Sequence, residues 1–184
     1  MNNGKVNLYY DFEFFDDGHS IIPISLGITT DRGEEFYCIN MGNGKIVQEH
    51  NPDAWVIDNV FPKIYSVQPR ANLILEFDYT DDMMMAFCGF IHDAVDGWNG
   101  FNLIGYYSAY DHVCYSHLFG TMDKLPERYP MHSYDIKQWL DDVGNPISPI
   151  IKECEHNALA DARWNKDTYN WLKENYQHPA WSRK

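Results

Sequence analysis

KVNLYYDFEFFDDGHSIIPISLGITT, residues 5–30, decides the fold. Its first ten residues are rich in strand formers, and Asp16, Asp17 and Gly18 supply hairpin turn chemistry ahead of a second apolar run from Ile21 to Thr30. Asp31, Arg32 and Gly33 turn the chain again into EEFYCINM, residues 34–41. Three successive strands are therefore predicted, arranged as an antiparallel meander.

Downstream the periodicity changes. DAWVIDNVFPKI (53–64) predicts a short helix broken at Pro62, and TDDMMMAFCGFIHDAV (80–95) a helix capped by Thr80 or Asp81. FNLIGYY (101–107) reads as a fourth strand and AYDHVCYSHLF (109–119) as a helix ending near Gly120. SYDIKQWLDDVG (133–144) gives a helix with a glycine stop, and ALADARWNKDTYNWLKENY (158–176) the longest one. Strands first, then helices interleaved with strand, define an α/β class: a mixed sheet, antiparallel meander plus parallel strands, flanked by helices. At 184 residues, with no repeat, low-complexity tract or long linker, the chain fits one domain, residues 1–184.

Hydrophobic residues at 45% and aromatics at 16% argue against disorder, and no run approaches the roughly 18 apolar residues of a membrane span. The N-terminal stretch lacks a secretory hydrophobic region, and Cys38, Cys88, Cys114 and Cys154 form no CxxC pair. Free thiols in a reducing cytoplasm are the expectation. The net charge of −13 disfavours a protein that neutralises phosphates with lysine and arginine. It does not exclude a nuclease whose acids hold divalent cations, because the bound ions make the site itself attract phosphate.

Asp11 and Glu13 stand two apart on the first strand, so both carboxylates point to one face while Tyr10, Phe12 and Phe14 point to the other. Two like charges that close repel unless a cation sits between them. A lone DxE is also what a solvated acidic pair at a strand end produces, so the pair needs company. In HNALADARWN (156–165), His156 and Asp161 would lie about 140° apart on a regular helix and share no face. They converge if Asn157 is the N-cap, leaving His156 in the preceding loop and Asp161 on the helix. Ala158, Leu159 and Ala162 would let that helix approach the sheet closely, with Tyr169, Leu172 and Tyr176 continuing a buried face. Asp111 opens a helix after a strand, where it suits the helix dipole and where α/β sheets place ligands.

Asp11, Glu13, Asp111 and Asp161 with His156 reproduce, in order and local context, the motif set of the DEDDh 3′-5′ exonucleases. The stretches DFEFFDDGHSIIPISLGI, WVIDNVFPKI, YYSAYDHVCYSHLFG and HNALADARWN resemble a compact bacterial and phage branch, the RNase T-like 3′-5′ exoribonucleases typified by a mycobacterial enzyme. The likeness is weakest over residues 66–100 and after Tyr176. It implies a ribonuclease H-like fold and two Mg²⁺ or Mn²⁺ ions. Asp11 would bridge the ions, Glu13 and Asp161 would complete one site and Asp111 the other, and His156 would be the general base. It also implies single-stranded RNA or RNA 3′ ends as substrate, cut to nucleoside 5′-monophosphates; a 3′-5′ DNA exonuclease of the same superfamily and a non-catalytic nucleic-acid- or nucleotide-binding module that keeps the fold are the alternatives.

Substrate contacts are expected at Phe14 and Phe15, directly after the DxE pair, where core packing is the competing reading. Tyr106, Tyr107 and Tyr110 offer stacking faces or core aromatics. Arg163 and Lys166 are candidate phosphate contacts, against ordinary surface solvation. His112, Cys114 and His117 would make a zinc site only at a spacing no standard finger uses. The aromatic content leaves surface for a homodimer.

Overall fold

The computed structural model describes residues 5–70, 73–95 and 100–177. Strands β1 (Val6–Asp16), β2 (Ile21–Thr30) and β3 (Glu35–Asn40) form the predicted antiparallel meander. β4 (Leu75–Phe77) pairs in parallel with β3, while β5 (Phe101–Gly105) and β6 (Ser133–Asp135) extend the sheet in parallel beyond β1. The result is a mixed sheet in the order β4-β3-β2-β1-β5-β6, flanked by helices in a ribonuclease H-like α/β architecture.

Alternation along the strands builds two faces. Leu8, Tyr10 and Phe12 of β1, with Leu26, Ile28, Phe36 and Cys38, pack under helices α3 (Thr80–Ala94) and α4 (Ala109–Leu118). On the other face Tyr9 and Ile104 meet α5 (Ile136–Asp142) and α6 (Ala158–Asn175). Glu13 pairs with Ser25 but Phe14 with Pro23, so Ile24 is an extra residue in β2. This bulge turns Ile24 away from the Leu26 face, and it packs with Tyr37, Ile39 and Leu159 instead.

Several elements differ from the sequence expectation. MGNGKIVQEH forms helix α1 (Met41–His50), which two low-propensity glycines conceal. Asn40 caps it by accepting from Asn43 N–H at 2.8 Å, and Gly42 is required because a Cβ there would strike the Asp78 carbonyl. The expected helix at 53–64 is α2 (Trp55–Asn59) followed by a 3-10 turn at Phe61–Lys63, so the break falls at Val60, ahead of Pro62, which sits inside the 3-10 turn. α3 is capped by Tyr79, not by Thr80 or Asp81, and its acids lie in the first turn, where the dipole favours them. β5 stops at Gly105 rather than Tyr107, whose φ of 54° leaves the strand region. Ser133–Asp135 is an edge strand, and α5 begins only after Asp135, its N-cap. No helix among the described residues is long and apolar enough to cross a membrane.

Candidate active site

Backbone packing brings the carboxylates together. In the β1–β2 register Asp11 faces Gly27 and Glu13 faces Ser25. A Cβ at Gly27 would collide with the backbone of Ala158 and Leu159, so the glycine lets the first turn of α6 lie directly on the sheet. Asn157, its N-cap, accepts from Ala160 N–H at 3.1 Å, and its amide donates to the Lys63 carbonyl at 2.8 Å. About two turns on, Asn165 Nδ2 donates to the Tyr10 carbonyl at 3.0 Å. Asp161 is thereby carried over β1, and one oxygen from each of Asp11, Glu13 and Asp161 lies within 4.8 Å of the others. That spacing is near twice the roughly 2.0–2.6 Å reach of a divalent cation's oxygen contacts.

Asp111 sits beside this group on the first turn of α4 and is buried. β1 outruns β5, and beyond the end of β5 the Phe12 N–H donates to Asp111 Oδ1 at 2.7 Å. Asp135, which sequence reasoning did not single out, fixes the approach to α4 by accepting from Ser108 N–H at 2.9 Å and Tyr107 N–H at 3.3 Å. Its signal was an acid between a strand-like pair and a helix.

These acids share an electrostatic problem. Burial, then the charges of Asp111, Glu13 and Asp161, pushes the Asp11 carboxyl well above the usual carboxylate range. Burial and Asp161 raise Glu13 to about 8, and burial raises Asp111 to about 7 against the hydrogen bond from Phe12. Burial also raises Asp161, opposed by Lys152. One ammonium, Lys152, does not balance four carboxylates, and divalent cations on oxygen ligands supply the missing positive charge. The donor set, carboxylates only, suits Mg²⁺ or Mn²⁺.

His156 lies in the loop before α6 with a left-handed φ of 70°. Its backbone N–H donates to Asp161 Oδ2 at 3.0 Å, which aligns that carboxylate and leaves Oδ1 for another partner. The imidazole packs at 88° to the ring of Trp55, centroids 4.7 Å apart. Burial holds its pKa below the ordinary histidine value. Neither Trp55 nor Lys152 was singled out from the sequence: Trp55 opens the family-like stretch WVIDNVFPKI without a ligand-forming side chain, and Lys152 lies in a segment without a motif. Lys152 Nζ stands 3.1 Å from Asp161 Oδ1.

The remaining candidates separate. Phe14 stacks on Tyr110 in parallel, centroids 5.6 Å apart, and Phe15 packs at the edge of the Ile24 cluster. Tyr107 and Tyr110 are 63% and 48% exposed, so both offer a free face, whereas Tyr106 packs edge-on to Trp164. Arg163 meets a different partner from the phosphate expected of it. Its Nε and one terminal amine each lie 2.9 Å from the Glu35 carboxylate, and that amine also donates to the Gln68 carbonyl. Lys166 donates to the Thr30 carbonyl at 2.7 Å. Cys114 is fully buried and His117 exposed, so one face does not collect the zinc set. Among the described residues, Asp11, Glu13 and Asp161 are the one group placed to share a metal.

Sheet and acids together define a class: ribonuclease H-like nucleases that act through an acidic metal-binding cluster. Over 161 residues, 84% of this chain and 86% of each relative, the sequence is 31% identical to the 3′-5′ exoribonucleases Rv2179c and MT2234.1 from two strains of Mycobacterium tuberculosis. No family model matches the chain. The protein belongs to the DEDDh-like 3′-5′ exonuclease superfamily, related to these mycobacterial exoribonucleases.

Proposed function

We propose that the protein is a single-domain, cytoplasmic 3′-5′ exoribonuclease that removes nucleoside 5′-monophosphates from single-stranded RNA or RNA 3′ overhangs. The observation that carries this reading is the convergence of Asp11, Glu13 and Asp161 within 4.8 Å in a chain 31% identical to enzymes named exoribonucleases. Asp11, Glu13, Asp111 and Asp161 would hold two Mg²⁺ or Mn²⁺ ions. Bound there, such ions supply the charge that steadies the attacking and leaving oxygens of an in-line phosphodiester displacement.

The protein's own groups do the rest. His156 accepts a proton from the attacking water as its oxygen bonds to phosphorus. The bond from phosphorus to the 3′-oxygen of the preceding nucleotide breaks; that oxygen keeps the electron pair and takes a proton from solvent to become the 3′-hydroxyl of the shortened chain, and the released nucleotide carries a 5′-phosphate. A low imidazole pKa keeps His156 neutral, and so able to take that proton, at neutral pH. Asp161 accepts from the His156 N–H, so the base and the ligand are tied through main chain. The exposed faces of Tyr107 and of Tyr110, the latter backed by Phe14, support base stacking near Asp111, with Phe15 beyond the DxE pair.

Product analysis tests the reaction class. With Mg²⁺ or Mn²⁺, chromatography of digests should yield nucleoside 5′-monophosphates. Nucleoside 3′-monophosphates or internal fragments would refute it, and binding of RNA without product would favour a binding module.

A further inference from the structure

The loop from Gly144 to Asn157 delivers a cation to the carboxylates. Besides its 3.1 Å contact with Asp161 Oδ1, Lys152 Nζ lies 3.5 Å from Glu155 Oε1 and 5.4 Å from the centroid of the Trp164 ring. Its side chain is 28% exposed, while that of Asp161 is 5% exposed. Other basic groups nearby are engaged elsewhere: Lys63 Nζ donates to the Glu155 carbonyl at 2.9 Å, and Arg163 pairs with Glu35. Among the described residues, Lys152 is the cation that pairs with a carboxylate of the cluster.

The choice of oxygen matters. Oδ2 of Asp161 already accepts the His156 N–H, so Oδ1 is the oxygen more open to a metal, and Lys152 stands on it. Glu155 and Trp164 give the ammonium two other supports that do not belong to the cluster. We infer that Lys152 is a built-in counter-cation of the metal-free centre: it holds Asp161 Oδ1 until a divalent cation takes that oxygen, then stays beside the site on Glu155 and Trp164. It is a positioning residue that keeps the acids assembled before metal arrives, and it competes with the metal. The inference rests on the metal-centre reading above.

Titration calorimetry of the intact protein with Mn²⁺ tests it, alongside thermal melts in EDTA. Lys152→Met should bind Mn²⁺ about fivefold more tightly than the unsubstituted protein, since no ammonium must be displaced. It should also melt lower in EDTA at pH 8 and gain more from added Mn²⁺. Lys152→Arg, which keeps the charge, should stay near the unsubstituted values and shows whether the position tolerates change. Lys63→Met removes a nearby charge that touches no carboxylate of the cluster and should leave affinity nearly unchanged. Unchanged or weaker Mn²⁺ binding in folded Lys152→Met, or an equal gain in Lys63→Met, would overturn the inference. Absence of Mn²⁺ binding by the unsubstituted protein would instead overturn the metal centre itself.

Discussion

The backbone N–H of His156 donates to Oδ2 of Asp161 at 3.0 Å, so the loop residue and the helix residue are joined through main chain and not through the imidazole. The histidine side chain is therefore free for chemistry, and its replacement should spare the carboxylate. Asparagine tolerates the left-handed φ of 70° found there. His156→Asn should lose about 10²- to 10⁴-fold in turnover while binding Mn²⁺ as the unsubstituted protein does. Single-turnover assays and calorimetry on the same preparation check both halves.

Crowded acids make the metal-free protein sensitive to base. Glu13 titrates near 4.5 when unfolded and about 8 when folded, so between those values the folded chain holds a proton that the unfolded chain has released. Stability in EDTA should be fullest at pH 4.5 and below as far as this group is concerned, and should fall as pH rises through 8. Saturating Mg²⁺ should flatten that decline. Asp11→Asn, which removes one repelling charge, should abolish turnover yet melt higher than the unsubstituted protein in EDTA at pH 8. Thermal melts across pH 5–9 decide it.

How far the site was legible in the sequence depended on how local its causes are. Asn157 as N-cap, His156 off the helix and the shared face of Asp11 and Glu13 follow from rules spanning a few residues, and the structure has each of them. Lys152 and Trp55 arrive through tertiary packing, and neither lies at a spacing that marks a ligand. Gly27 is a similar case: a strand glycine reads as a weakness until α6 is seen lying on it. β4 and β6 span Leu75–Phe77 and Ser133–Asp135, too short to show a period of two, and pairing with β3 and β5 is what makes them strands.

Arg163 is explained by Glu35, whose side chain is 1% exposed. Burial alone would raise the Glu35 carboxyl, but the Arg163 hydrogen bond, the Arg70 N–H and the charges of both arginines together outweigh it and hold the pKa below the ordinary value. That contribution is present above about pH 4.5 and is lost as pH falls through the lowered folded value. Arg163→Ala should cost about 1–3 kcal/mol at pH 7, with Arg70 left as a weaker partner at 3.5 Å. KM for RNA should hardly move; a large rise in KM with intact stability would restore the phosphate contact.

Tyr110 lies flat on Phe14 with a 5° interplanar angle and about half its surface open. Stacking of a base on its free face is worth about 1–3 kcal/mol. Tyr110→Ala should accordingly weaken single-stranded RNA binding by roughly 5- to 150-fold and leave Mn²⁺ affinity intact. Equilibrium binding with Asp11→Asn as the inactive background measures this without digestion.

The most direct measurement is a denaturing-gel time course on 5′-labelled single-stranded RNA and DNA of one sequence, with Mg²⁺, Mn²⁺ or EDTA, beside Asp11→Asn. A metal-dependent ladder shortening from the 3′ end, faster on RNA and absent in the variant, is the predicted result. Undiminished cleavage in EDTA or by Asp11→Asn, or a full-length band in every lane, would contradict it.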